Sequence, residues 1–262
     1  VGIDPATVIE TRRENTLTFD SRLLFSVSRS IHGDLTATLL SSDITRAFKD
    51  RVAYLPATKA ERELSQLQFS VSGTFVIEGT MHRHIMSFSS LFRDEQNVAR
   101  AAVSDITPLQ MDTLREQERV RDNALWRTLA SVRSMFATGF NDSVVVQTSV
   151  SMLRYDTPST SNNDDRDELN TYLSVAYTHR WSPFTSTTLS TRAQLNHLVF
   201  LKASRSALNA QNRILQFSPS AVIHTPVLRM QPQLEVLAQY TVYDFEGKAG
   251  VPTSFSFRQM SY

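Results

Sequence analysis

Residues Gln66–Glu78 read QLQFSVSGTFVIE. Alternate positions carry Leu67, Phe69, Val71, Gly73, Phe75 and Ile77, and the positions between them carry Gln66, Gln68, Ser70, Ser72, Thr74, Val76 and Glu78. Side chains on a strand alternate between its faces, so this stretch forms a strand with one apolar and one wet face. Its length is the informative feature. Strands in soluble domains run about five or six residues, whereas a tilted strand that crosses a bilayer needs about nine to eleven.

The same alternation recurs along the chain. It predicts strands over Asn15–Arg29, Leu35–Ser42, His82–Phe92, Asn123–Phe136, Ser143–Tyr155, Leu169–Arg180, Thr185–Leu201, Asn212–Ile223 and Pro232–Tyr243, and one more starting at Phe255. Residues 1–14, with Pro5 and the charged Thr11-Arg12-Arg13-Glu14, read as a loop, and His32-Gly33-Asp34 reads as a tight turn. Asp43–Ser65, with Pro56, and Arg93–Arg121 break the alternation and read as long connections. Pro219 cannot donate to a ladder, which predicts a bulge or a shorter strand there. In the second connection Thr107-Pro108-Leu109-Gln110 has the signature of a capped helix start, placing a short helix over Leu109–Arg119.

Composition narrows the class. The chain has 262 residues, no cysteine and a formal charge of +1. Disulfides and cysteine-based zinc sites are excluded, and net charge points to no nucleic-acid partner. Mean hydropathy is −0.24, and no apolar run reaches the length of a membrane-spanning helix. A barrel strand hides its lipid face in alternation, so neither observation weighs against a membrane.

Two regularities favour a membrane barrel over a soluble β fold. Connections are short after residues 29, 78, 136, 180 and 223 and longer after 42, 92, 155, 201 and 243. Aromatic residues gather at both ends of the strands. Phe25, Phe75, Phe136, Phe140, Tyr177, Trp181 and Phe184 lie near the short turns, and Phe19, Phe69, Phe92, Trp126 and Tyr240 near the long connections. Membrane barrels have short turns at one rim, long loops at the other and an aromatic girdle at each interface.

By this hairpin pattern the whole chain resembles a bacterial outer-membrane β-barrel protein. The resemblance implies an all-β, antiparallel up-and-down transmembrane barrel with at least ten long strands, an incomplete further one, and the short helix in an extracellular loop. It also implies a bacterial outer-membrane location, with membrane lipid and the barrel-assembly machinery as partners. The last strand departs from the class. Tyr262 is aromatic, but Met260, Arg258 and Ser256 precede it, with Phe255 and Phe257 in the opposite register. With both ends of the chain on the long-loop side, the expectation is a single domain, residues 1–262, belonging to a larger barrel.

Leu67, Phe69, Val71, Phe75, Val144, Val146, Val150, Leu189, Leu195 and Val236 are then lipid-facing, and Asp20, Arg22, Glu78, Arg83, Arg127, Arg133, Arg192 and Glu235 are lumen-facing. Five arginines against three acids would favour anions in a wet interior. The functional expectation is porin-like or gated passage of small polar solutes. The alternatives are a non-conducting surface or anchoring protein acting through its loops, and a soluble β-sandwich or lipid-binding barrel. No catalytic residue, metal site or cofactor is assigned. His197 has no serine in the register that a hydrolase would need, since Ser190 faces the other way. His82 and His84 share a face without a matching carboxylate. Asn162–Glu168 is rich in oxygen ligands but lacks the glycine of a calcium-binding loop.

Overall fold

The computed structural model describes residues 8–50, 60–101 and 107–262. The expected loop at Pro5 and the connection around Pro56 fall outside them. The described residues form one antiparallel, up-and-down sheet. Its strands are β1 (Val8–Ser28), β2 (Ile31–Asp50), β3 (Ala60–Glu78), β4 (His82–Ala101), β5 (Asn123–Ala137), β6 (Asp142–Asp156), β7 (Arg166–Ser182), β8 (Thr185–Phe200), β9 (Ala210–His224), β10 (Arg229–Met230), β11 (Glu235–Tyr243) and β12 (Phe255–Ser261). Each strand pairs with its neighbours in sequence, except that β9 pairs with both β10 and β11. The sheet is open: among the described residues β1 and β12 pair with no strand on their outer edges.

Strand pairing puts residues directly opposite one another on the same face, so the register sorts every side chain. One cross-strand row runs Phe19, Leu39, Phe69, Phe92, Trp126. Another runs Phe136, Val144, Tyr177, Leu189. The apolar residues of successive strands therefore merge into a continuous band with aromatics along both margins. From Phe69 to Ile77 the band is nine residues tall, and from Trp126 to Phe136 it is eleven. At the rise of a strand and the 35–45° tilt of a barrel strand, that is a height of about 20–25 Å.

Exposure along the strands is inverted relative to a water-soluble sheet. Leu67 and Phe69 are exposed, while Gln66, Gln68 and Ser70 between them are half-buried. Val150 and Met152 are more exposed than Ser151, and Leu215 and Phe217 more than Gln216. Side chains on a concave face converge and shade one another, so the polar face is the inner one. Hardly any core exists. Hydrophobic residues are 41% of the chain, yet the buried ones among those described are Ile44, Val76, Ala99, Met111, Leu114 and Phe200.

Several elements differ from the sequence reading, each for a physical reason. The first four strands are 19–21 residues long and continue through stretches read as loop at 8–14, 43–50, 60–65 and 93–101. Beyond the apolar band both faces are wet, so alternation vanishes while the backbone ladder continues. Cross-strand pairs such as Arg100–Glu63 (2.7 Å) and Ser65 donating to Asp43 (2.8 Å) hold that part together.

His32-Gly33-Asp34 is not a turn. The chain reverses at Arg29-Ser30, and Gly33 lies within β2 opposite Phe25 and Phe75. Its φ is not positive. The missing side chain makes room instead, because a Cβ on Gly33 would stand 2.5 Å from the Thr74 carbonyl oxygen and 2.7 Å from the Phe25 ring. Gly73 does the same for Phe88, and Phe25, Phe75 and Phe88 pack in succession, with centroids 5.4 and 6.4 Å apart.

Pro219 causes no bulge in β9, which pairs with β8 in unbroken register. The interruption falls on the other side. Leu234 donates to the Pro219 carbonyl (3.0 Å) and Ala221 to the Pro232 carbonyl (3.0 Å), but neither proline can return a bond. Two half-made pairs separate β10 from β11, which starts at Glu235 rather than Pro232.

The glycine slots yield a prediction. Gly33→Ala meets a backbone carbonyl at 2.5 Å that cannot move aside, whereas Gly73→Ala meets chiefly the end of the Phe88 ring, with the Asp34 carbonyl oxygen farther off at 3.2 Å. Gly33→Ala is expected to lower stability by about 1–3 kcal/mol, and Gly73→Ala by less. Urea unfolding of the two variants beside the parent chain measures the difference.

Candidate functional site

The polar face and the loops folded against its long-loop end form the candidate site. All eight charged residues expected inside, Asp20, Arg22, Glu78, Arg83, Arg127, Arg133, Arg192 and Glu235, lie on the polar face by register. The ten expected on the lipid side, Leu67, Phe69, Val71, Phe75, Val144, Val146, Val150, Leu189, Leu195 and Val236, lie on the apolar face.

Asp34 joins the polar set. Placed in a turn from sequence, it sits in β2 with a carboxylate oxygen 3.5 Å from the Arg22 guanidinium. Arg83 and Glu78 pair at 2.8 Å across the β3–β4 hairpin. Arg127, Arg133 and Arg192 have no ion pair among the described residues. Arg127 and Arg133 are exposed. Arg192 donates to Gln194 (3.3 Å) and lies 5.7 Å from the Tyr172 ring centroid. Arg133 and Arg192 occupy one cross-strand row, separated by Gln147 and Ser174.

The helix α1 (Pro108–Arg119) forms where its start signal placed it. Thr107 Oγ1 accepts from the Gln110 amide, the Gln110 side chain accepts from the Thr107 amide, and Pro108 opens the first turn. The helix lies on the polar face of the extended β3–β4 hairpin. Met111 and Leu114 pack on Ala99, which shares a face with Arg62. One turn further, Glu118 is 3% exposed and pairs with both Arg62 and Arg121 at 3.2 Å. Two guanidinium groups offset the cost of withdrawing that carboxylate from water. Below it, Asp122 accepts from the Asn97 amide (2.6 Å), and Asn123 donates to Glu95 (2.9 Å).

Two further loops join this cap. Asn162 donates its side-chain amide to the Val120 carbonyl (2.8 Å), tying the 157–165 loop to the exit of α1. Lys202, from the next loop, donates to the Ser159 carbonyl (3.1 Å) and to the Asn162 carbonyl, and its ammonium is 3.6 Å from Asp165. Asp165 also accepts from the Thr157 amide (2.7 Å). Several oxygens of the Asn162–Glu168 stretch are thus directed at the chain's own cations: the Asn162 carbonyl and Asp165 at Lys202, Asp164 at Arg205 and Glu168 at Arg166. Arg205 pairs with Asp164 and covers the Phe200 ring at 4.1 Å. Phe200 in turn donates its amide to the Asn209 side chain (2.7 Å).

The histidines are dispersed. His197 is on the apolar face, 2.9 Å from Asp244, while Ser190 is on the polar face, donating to the Ser218 carbonyl (2.9 Å). His84 contacts Ser134 (2.9 Å), and its ring centroid is 5.2 Å from that of His82. Among the described residues no three histidine or acidic side chains gather as metal ligands. No protein-family model matches the chain, and no curated protein matches it at a significant level.

Lys202→Met removes the cation that closes the 157–165 loop. Bonds to a charged donor contribute about 1.5–3 kcal/mol, so amide hydrogen exchange across 157–165 is expected to quicken by roughly tenfold or more. Exchange in the middle of β6 and β7 should not change.

Proposed function

We propose that this sheet is part of the wall of a bacterial outer-membrane β-barrel through which small polar solutes pass, with a weak preference for anions. The observation that carries the reading is the inversion of the two faces. A band of exposed aliphatic and aromatic side chains, about 20–25 Å tall, backs an inner face of Ser, Thr, Asn, Gln and charged side chains. Hydrocarbon is the medium in which such a surface is stable. It also admits no open sheet edge, since unpaired backbone groups cost several kcal/mol each there. A sheet in hydrocarbon therefore needs partners along the outer edges of β1 and β12.

The anion preference rests on the arginines left over. Pairing Arg22 with Asp34 and Arg83 with Glu78 leaves Arg127, Arg133 and Arg192 against Asp20 and Glu235. The cap of α1 and the two tied loops over one end of this face is where passage would be gated.

The same cap favours a second reading, in which a rigid plate of loops serves as a surface for attachment and the barrel is only its mount. Conductance decides between them. The native protein in planar bilayers under a salt gradient is expected to conduct, with a reversal potential displaced toward anions. Changing both Arg127 and Arg133 to Glu should displace it toward cations. A silent barrel would leave the attachment reading standing, and a cation-selective parent would contradict the charge assignment.

A further inference from the structure

The apolar face carries one groove that ends in an unneutralised cation. It has a volume of about 810 Å³ and crosses β7, β8, β9 and β11. Its floor is Ala193, which stands in register between Leu173 and Leu215. Leu195 and Tyr240 flank Arg213 on either side in the next row. Small residues beside large ones make the trough, and it lies at the top of the apolar band on these strands.

Arg213 closes the upper end. Its guanidinium donates to the side-chain oxygen of Gln211 (2.8 Å) and has no ion pair among the described residues. The row above Arg213 holds Gln211, His197 and Val242, and beyond it Asp244 is held by His197 at 2.9 Å. Elsewhere on this face Arg154 is matched by Asp156 at 3.0 Å. An arginine left unmatched beside a tyrosine, at the edge of an apolar trough, has the polarity of an amphiphile in reverse: anion above, hydrocarbon below.

We propose that this groove binds one lipid of the surrounding leaflet that bears an anionic phosphate headgroup, the phosphate on Arg213 and an acyl chain along Leu173, Ala193, Leu195 and Leu215. The inference rests on the reading of this face as lipid-facing. A second trough on the same face, lined by Phe75, Met86, Phe88, Ala130, Val132 and Val150 with a volume of about 400 Å³, has no cation and serves as an internal comparison: it can hold a chain but cannot select a headgroup.

The test is retention of lipid by the protein released from bilayers of equal phosphatidylglycerol and phosphatidylcholine, read by native mass spectrometry. Tightly held phosphatidylglycerol is expected to exceed phosphatidylcholine by about fivefold, the effect of one basic side chain at a membrane surface. Arg213→Gln should bring the ratio to about one, Arg213→Lys should preserve it, and Ala193→Phe should lower retention of both lipids. The parent protein supplies a check that needs no variant. Raising the ionic strength from about 0.01 M to about 1 M shortens the screening length from about 30 Å to about 3 Å and should abolish the preference. Equal retention by the parent, or a preference unchanged in Arg213→Gln, overturns the proposal. Flotation with phosphatidylcholine vesicles separates the two levels. A protein that floats without headgroup preference defeats only the lipid site, whereas one that does not float defeats the membrane reading and the site together.

Discussion

Backbone hydrogen bonding between sequence neighbours carries this fold, because almost nothing is packed behind either face of the sheet. A ladder of this kind fixes register and leaves the choice of medium to the side chains. On β3, β4 and β5 alone, Leu67, Phe69, Phe88, Phe92, Trp126, Val132 and Phe136 stand exposed on one face. Withdrawing a large apolar side chain from water contributes about 1.5–3 kcal/mol. Covering even half of these seven amounts to about 5–10 kcal/mol, comparable to the whole stability of an ordinary domain at about 5–15 kcal/mol. Whatever covers the apolar face is therefore as important to the folded state as any contact inside the chain.

The few tertiary contacts that exist are concentrated where the sheet needs them. Gly33 and Gly73 let the Phe25 and Phe88 rings lie flat across neighbouring strands, which smooths the apolar band and locks its register near the short-turn end. At the opposite end the strands outrun the band, and charged side chains take over from apolar ones. There Glu118 and Asp122 tie the end of α1 to β3 and β4, Asn162 ties the next loop to α1, and Lys202 and Arg205 tie the loop after it to that one. Apolar packing secures one end of the sheet and polar packing the other.

The sequence was most legible where the two faces differ in polarity. Inside the band, alternation assigned every charged and apolar site residue to the face it occupies, and the Thr107 capping box located α1 to within a residue. Where both sides are wet, the same signal has no content, so the extensions of β1–β4 read as loops. Gly33 misled because glycine serves turns and close approaches alike, and only the cross-strand partner, remote in sequence, tells them apart. Pro219 marked a real break but on its neighbour, since a missing N–H is felt by the strand that would have accepted it. Lys202 gave no signal, because its acceptors are carbonyls forty residues away. Arg213 did give one, lying two residues before Leu215 on the same face, and its apolar surroundings only became visible with the pairing of β8, β9 and β11.

The most direct measurement of the central claim uses the absence of cysteine from this chain. Single cysteines placed one at a time from Gln66 to Glu78, spin-labelled and reconstituted in vesicles, report whether each site meets lipid or water. A lipid-facing row on β3 gives a period of two: labels at 67, 69, 71, 73, 75 and 77 relaxed by oxygen dissolved in the bilayer, and labels at the positions between them relaxed by a water-soluble nickel complex. Uniform accessibility to the aqueous reagent along the whole stretch would contradict it.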